Sequence, residues 1–426
     1  MNIVGEMPSD NCTSTNGDVV FLDIMTWNPL SGYVNRLYQA PYRTINRANS
    51  VIKYVPAINM PATRRDQILG EAHFLRALSY FNLVRLYGGV PLRTEPVESG
   101  ENTALARATA EQVYTQIEAD LETAERLAAT TYGNSDLDRA RATKGAVNAL
   151  QARVLLTQRK WSGAQAAAEE VLNNPLYGTR LTPNFNDLWP PKNKQESIWE
   201  IQYAGNADPG FTLPDLLLPS PPASFSFPKF NIPETAFITE YADTARDSRF
   251  RNNGRVQGGI SYSSVVWGGR GEGNDNGWFV YKWRNTNFFT SNDNYPVFRL
   301  AEMYLIAAEA ANEQGGPTQT ALERLNAVRT RAGLPALSLS DLPTRAAFRD
   351  EVDRQRRLEL AFEGERWFDL LRYTRHEQAD PTATHEVTAL DLIAARRGSR
   401  DANYLLFPIP QYELNNNPLI EQNDGY

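Results

Sequence analysis

The sequence has one cysteine, Cys12, among 426 residues, so no disulfide can form within the chain. It has three histidines, His73, His376 and His385, too few and too scattered for a histidine-rich metal site. No run approaches the ~18 apolar residues that a membrane-crossing helix needs. No lysine- or arginine-rich block occurs, and 43 basic against 50 acidic residues leave a net charge of −7. The basic face that nucleic-acid binding requires is therefore missing. What remains is ordinary for a folded protein: 42% apolar and 22% charged residues, which argues against disorder and fibrous repeats. The length fits about two to three domains, or one large domain with insertions.

The first 35 residues lack helical periodicity and hold no basic segment followed by an apolar one, so no signal peptide is visible. Polar residues precede Cys12, which makes it a poor lipidation site. Helical spacing starts with Ile45, Ala48, Val51, Ile52 and Val55, with Tyr42 as the expected start and Pro56 as the stop. A second helix is expected from a Thr63 cap through Ile68, Ala72, Leu75, Leu78, Leu83 and Leu86 to the Gly88-Gly89 stop. Thr109 is expected to cap a third, and two alanine-rich helices follow, up to Pro175. Ala142, Gly145, Ala146, Ala149, Ala152, Ala164, Ala167 and Ala168 allow close helix approach. Long helix, short turn, short helix, with small residues at the contact, is tetratricopeptide-like. The rhythm returns after residue 298, with Pro317 expected in a first helical turn.

These patterns predict a mostly α chain: a tetratricopeptide-like helical scaffold (an α-α superhelix) carrying a large, irregular, loop-rich insertion. The expected segments are 1–175 (helical), 176–297 (Pro-, Gly- and aromatic-rich insertion) and 298–426 (helical, with an irregular tail). Proline at the insertion's density excludes long helices and central strands, and an irregular segment of this length is usually functional.

The aromatic residues, 11% of the chain, are mostly accounted for by cores. Trp267, Trp278 and Trp283, however, fall in the Gly- and Asn-rich stretch GGISYSSVVWGGRGEGNDNGWFVYKWRNTNFF, and Trp189 ends another loop. A loop tryptophan with polar neighbours offers a flat surface and a hydrogen-bonding rim, which suits sugar rings; the alternative is that these rings pin the insertion onto the body. The glycines of GGRGEGNDNG lack the strand and helix that a dinucleotide site requires. Asp275-Asn276-Gly277 and the stretch from Ser291 to Asn294 lack calcium-loop spacing and read as polar turns. No cofactor or metal is indicated. A carboxylate pair for glycoside hydrolysis must straddle a sugar site, which sequence alone cannot place.

The most specific run is QRRLELAFEGERWFDLLR, residues 355–372. Arg356–Glu359, Glu363–Arg366, Arg366–Asp369 and Asp369–Arg372 are each three apart, so they adjoin wherever a helix holds, while Gly364 marks a break. With Arg357 beside them, Glu359, Glu363, Gly364, Arg366 and Asp369 read as a buried, structural ion network at a helix corner.

RRLELAFEGERWFDLLRY (356–373), FRLAEMYLIAAEAANEQGG (298–316), ALERLNAVRTRAGL (321–334), GEAHFLRALSYFNLVRLYGGVPL (70–92) and FPIPQYELNNNPLIEQNDGY (407–426) resemble the SusD/RagB family of outer-membrane nutrient-binding lipoproteins, over nearly the whole chain. The resemblance implies a non-catalytic glycan binder, less often a peptide binder, held by a lipid anchor on the outer face of a Bacteroidetes-type outer membrane. Its partner would be a SusC-like TonB-dependent transporter, over whose mouth it sits. The family's anchor and first helical segment would lie upstream of this chain, so contact with the membrane is expected only through an anchor that the chain lacks. Family practice points to Trp27 and Asn28 before the first clear helix, and to Tyr262, Trp267, Trp278 and Trp283 in the insertion, with Arg270 and Asp275 hydrogen-bonding hydroxyls. Two other readings stay open: a helical glycoside hydrolase and a peptide-binding tetratricopeptide adaptor.

Overall fold

Serine and threonine caps open most of the long helices, because a hydroxyl oxygen can accept from the otherwise unpaired first-turn N–H groups. In this computed structural model, Ser31 caps α1 (Gly32–Tyr54), Thr109 forms a capping box with Gln112 on α3 (Ala110–Leu127), and Thr143 caps α4 (Lys144–Thr157). Thr318, Thr344 and Thr388 cap the later helices α7 (Gln319–Arg331), α8 (Arg345–Glu359) and α10 (Ala389–Arg397). Helix α2 (Ala62–Tyr87) ends at Gly88 in a positive-φ conformation, as the glycine pair predicts. The remaining long helices are α5 (Trp161–Leu172), α6 (Leu300–Gly315) and α9 (Arg366–Ala379). The described residues are 1–98, 104–178, 181–190, 192–208, 210–220, 223, 229–241, 243–250, 256–257, 260–261, 264–268 and 275–426.

Three helix starts differ from expectation. Helix α1 begins ten residues before Tyr42 and carries Pro41 inside it; the Ser31 cap and the buried Val34, Tyr38 and Ile45 outweigh one lost backbone bond. Pro61, not Thr63, precedes α2. Pro317 stands just before the Thr318 cap rather than within α7.

Neighbouring helices stack in order: α1 on α2, α2 on α3, α4 on α5, and α6 on both α7 and α8. Helix α5 also packs on α6, which joins the two helical halves across the long insertion. The alanines do what their size allows: Ala146, Ala149, Ala152, Ala164 and Ala168 are fully buried in this stack. Gly145 admits the Tyr177 ring, which a Cβ there would meet at 2.3 Å. One apolar cluster draws on all three segments, from Val4 through Trp283 to Ile420.

The insertion is held by short antiparallel ladders. Strand β1 (Cys12–Thr13) pairs with β3 (Ile232–Pro233), and β2 (Ser197–Ile201) pairs with β6 (Tyr295–Arg299), leading directly into α6. Strands β4 (Val265–Trp267) and β5 (Trp278–Val280) form a hairpin.

Candidate functional site

The helix corner expected at Gly364 is present, but its ion pairs are mostly not those that spacing suggests. Helix α8 stops at Glu359, and Phe362 and Gly364 both take positive φ before α9 begins. With no helix between 360 and 365, three-residue spacing loses its meaning there. Asp369–Arg372 is the expected pair that forms, at 2.8 Å. Glu363 instead takes a bidentate contact from Arg299 (2.7 and 2.8 Å) and one from Lys282 at 2.6 Å. Glu359 accepts from Arg299 at 2.6 Å and from Arg331. Arg366 forks onto Asp10 (2.8 and 3.0 Å), and Arg357 contacts Asp10 and Glu240. Arg356 reaches Asp369 across the corner at 3.0 Å.

Arg299, Lys282, Arg331 and Arg249 face Glu359, Glu363, Glu196 and Asp247, so four cations meet four carboxylates inside the protein. Balance of this kind is what makes buried charge tolerable. The surrounding cations hold the Glu359, Glu363 and Asp369 carboxyls below their ordinary range despite burial. Glu6, bonded to the Gly364 N–H at 2.9 Å and to Asn11 at 3.2 Å, has no such cation in contact, and burial pushes it up to about 8. These groups, nearly all buried, build the frame.

Phe288, Tyr412 and Tyr54 are exposed as well, but on the β4–β5 hairpin an exposed ring, Trp267, has a second indole beside it. The hairpin register pairs Val265 with Val280, Val266 with Phe279, and Trp267 with Trp278. Side chains alternate between faces, so the tryptophan pair shares a face with the buried Val265 and Val280 while Val266 and Phe279 join Leu218, Ala223 and Tyr281 on the other side. The hairpin thus has both faces covered near its base, and at the outer rung Trp278 still packs on the body while Trp267 faces solvent. Their rings are 6.5 Å apart at 48°, Trp267 is 55% exposed and Trp278 half-buried. Trp278 rests on Phe250 (5.6 Å), which leads inward through Tyr241 and Phe237 to Phe362 at the corner. This aromatic file fixes the platform to the scaffold.

Polar contacts lock the strand's approach. Lys229 donates to Asp275 at 2.6 Å and to the Trp278 carbonyl at 3.0 Å, and Asp275 also accepts from the Gly277 N–H at 2.8 Å. Asn276 donates to the Pro233 carbonyl at 2.8 Å. Burial lowers the Lys229 pKa. The β1–β3 pairing draws residues 12–16 to the same place, where Ser14 donates to the Lys229 carbonyl. A two-residue ladder leaves no periodicity to read, so sequence reasoning missed the N-terminal loop's arrival here.

Of the expected site residues, Trp267, Trp278 and Asp275 lie together on the hairpin. Trp27 and Trp283 do not present a ring to solvent, contrary to expectation. Trp27 packs on Phe407 (4.4 Å) and Trp367 (6.1 Å), fastening the first loop to the tail. Trp283 is enclosed by Trp189, Phe211 and Tyr295, because the strand has by then run off the hairpin into the body. Trp189 is likewise buried. Asn28 is exposed, and its side-chain oxygen accepts from the Leu30 N–H in the turn before α1. Tyr262 and Arg270 lie outside the described residues. Among the described residues no group of three His, Cys, Asp or Glu side chains could hold a metal ion.

Comparison with known proteins places this architecture. The SusD family profile matches residues 230–426, and a SusD-like profile described as starch-binding associating with outer membrane matches residues 2–156. The chain belongs to the SusD family. A SusD-like protein of Formosa agariphila, P25, is 27% identical over 90% of this chain and 77% of its own length. The starch-binding protein SusD of Bacteroides thetaiotaomicron is 24% identical over 99% of this chain and 84% of its own. Among solved structures, a laminarin-binding SusD-like protein superposes with a TM-score of 0.80 at 26% identity, covering 100% of this SusD-family chain and 94% of that one. Surface glycan-binding protein A from Bacteroides uniformis gives 0.79 at 25% identity, covering 99% and 93%.

Proposed function

We propose that this SusD-family chain is a non-catalytic surface glycan-binding protein. It would hold oligo- or polysaccharides against the Trp267–Trp278 rung at the outer face of the outer membrane and deliver them to a SusC-like TonB-dependent transporter. The observation that carries this reading is an indole 55% exposed on the outer rung of the hairpin ladder, backed by an aromatic file into the scaffold. Names of similar proteins, laminarin-binding, starch-binding and surface glycan-binding, support the ligand class. Among the described residues, Asp275 beside the rung is committed to Lys229 and to the backbone, which favours binding over the paired-carboxylate chemistry of a glycosidase. Stacking on two rings contributes about 0.5–1.5 kcal/mol each, by analogy with aromatic pairs. With hydrogen bonds to ring hydroxyls added, affinity would be about millimolar, which suits a protein that must also release its ligand.

Affinity electrophoresis through laminarin, starch and other neutral polysaccharides tests it. Retardation on at least one glycan, without new reducing ends, is expected. No retardation on any glycan, or sustained release of reducing ends, would overturn it.

A further inference from the structure

The cleft between α1 and the C-terminal segment carries a charge pattern found in none of the sites above. Its volume is about 620 Å³, within the ~300–1,000 Å³ of small-ligand sites. Helix α1 faces it with two adjacent rows at four-residue spacing, Tyr38-Tyr42-Asn46 and Gln39-Arg43-Arg47. Arg93 adds a third guanidinium from the strand-like segment after α2. Many arginines of this fold sit against carboxylates, including those of the corner, while others, such as Arg107 and Arg139, bond backbone carbonyls. Among the described residues, Arg43, Arg47 and Arg93 have no carboxylate within ion-pairing distance. The carboxylate in the wall, Glu413, is hydrogen-bonded to Gln39, and burial raises its pKa. Arg43 and Arg47, like charges four apart on one helix, cost that helix a few tenths of a kcal/mol.

An unpaired basic cluster in a chain of net charge −7 has room for an anionic guest, and its floor suits a sugar rather than a peptide. Half-buried Tyr42 supplies the aromatic floor, backed by the buried Tyr38 ring 5.0 Å away at 41° and fixed by its bond to the Pro91 carbonyl at 2.8 Å. Aromatic carbon meets pyranose C–H faces, side-chain amides meet hydroxyls, and guanidinium forks match carboxylate or sulfate geometry. We infer that this cleft is a second saccharide site, selective for sugars bearing carboxylate or sulfate groups and separate from the hairpin platform.

Calorimetric titration in 50 mM NaCl with trigalacturonate, a sulfated chondroitin-type disaccharide, laminaritriose and hexaglutamate decides it, using the intact chain, Arg43→Glu/Arg47→Glu and Trp267→Ala. Both arginines are exposed, and unchanged melting temperature confirms that the double variant folds. At least one acidic saccharide is expected to bind wild type and Trp267→Ala alike. Its affinity should fall tenfold or more in Arg43→Glu/Arg47→Glu and in 500 mM NaCl. The carboxylated and sulfated probes separate the two anion sources. Failure of both acidic saccharides, equal binding by the double variant, or hexaglutamate binding as tightly as the sugars would overturn the inference. Laminaritriose binding lost in Trp267→Ala reports on the hairpin instead, so the two readings fail independently.

Discussion

Trp283 has no exposed surface while Trp267 keeps more than half of its own, although both lie in the same Gly- and Asn-rich stretch. What separates them is position along one hairpin: the ring at the outer rung overhangs the body, and the ring past the inner rung is swallowed by it. Substitution should split them. Trp267→Ala is expected to weaken glycan binding about tenfold, the loss of one stacked ring, and to leave stability within ~0.5 kcal/mol as surface changes do. Trp283→Ala empties a site between Trp189, Phe211 and Tyr295 and should cost ~3–5 kcal/mol. Urea melts beside affinity gels read both quantities. If Trp267→Ala bound every glycan as wild type does, the hairpin platform would have to be abandoned.

At the level of elements, the corner between α8 and α9 ties the molecule together, because Glu359 and Glu363 collect cations from β6, α7 and the end of the hairpin. Glu363→Gln removes the carboxylate that pairs with buried Lys282 and one of the three that face Arg299. A loss of ~3–5 kcal/mol is expected, the usual result of breaking one side of a buried pair. The Arg324–Glu169 pair joins α7 to α5 with both side chains partly in water, so Arg324→Ala should cost no more than about 1 kcal/mol. Equal losses from the two variants would show that burial does not set the worth of ion pairs in this fold. The helix ends give a smaller test. Thr109→Ala removes a complete capping box and should cost ~1 kcal/mol in a chemical melt.

For the whole molecule, legibility followed the range of the physics. Thr109 and Gly88 were readable because capping is decided within four residues. The helical class, the long insertion and the corner at Gly364 were readable from composition and periodicity. The partners of Glu363 and Arg366 were not, because they come from Arg299, Lys282 and Asp10, far off in sequence. Trp27 and Trp283 were misplaced for the same reason: a loop's composition says that a ring is not in a helix, and nothing about which side of the loop faces the core. The same long-range burial makes stability depend on pH through groups of opposite sign. On the acid side, His376 is lowered to about 4 by burial and nearby arginines, and His385 to about 2. A depressed folded pKa contributes stability that is present above the unfolded value of ~6.5 and is lost as pH falls. The depressed Glu359 and Asp369 steepen the loss once pH drops below about 4.5. Glu6 works in the opposite sense. Raised to about 8, it contributes stability that is full below the unfolded value and disappears as pH climbs to 8. Two further groups enter the balance: the buried Met1 amino group, lowered to about 6, and Asp293, which burial raises to about 6. From about pH 4.5 to 6 the two histidine protons that the unfolded chain gains are matched by those that folded Glu6 and Asp293 retain, and from about 6 to 8 the proton on the unfolded amino terminus offsets the one on Glu6. The melting temperature should therefore change little between about pH 4.5 and 8 and drop once pH goes below that range. The difference between Glu6→Gln, which cannot ionise, and the wild type isolates Glu6: the variant should gain on the wild type as pH rises from about 4.5 to 8, and a difference that stays constant over that range would show that Glu6 does not titrate there.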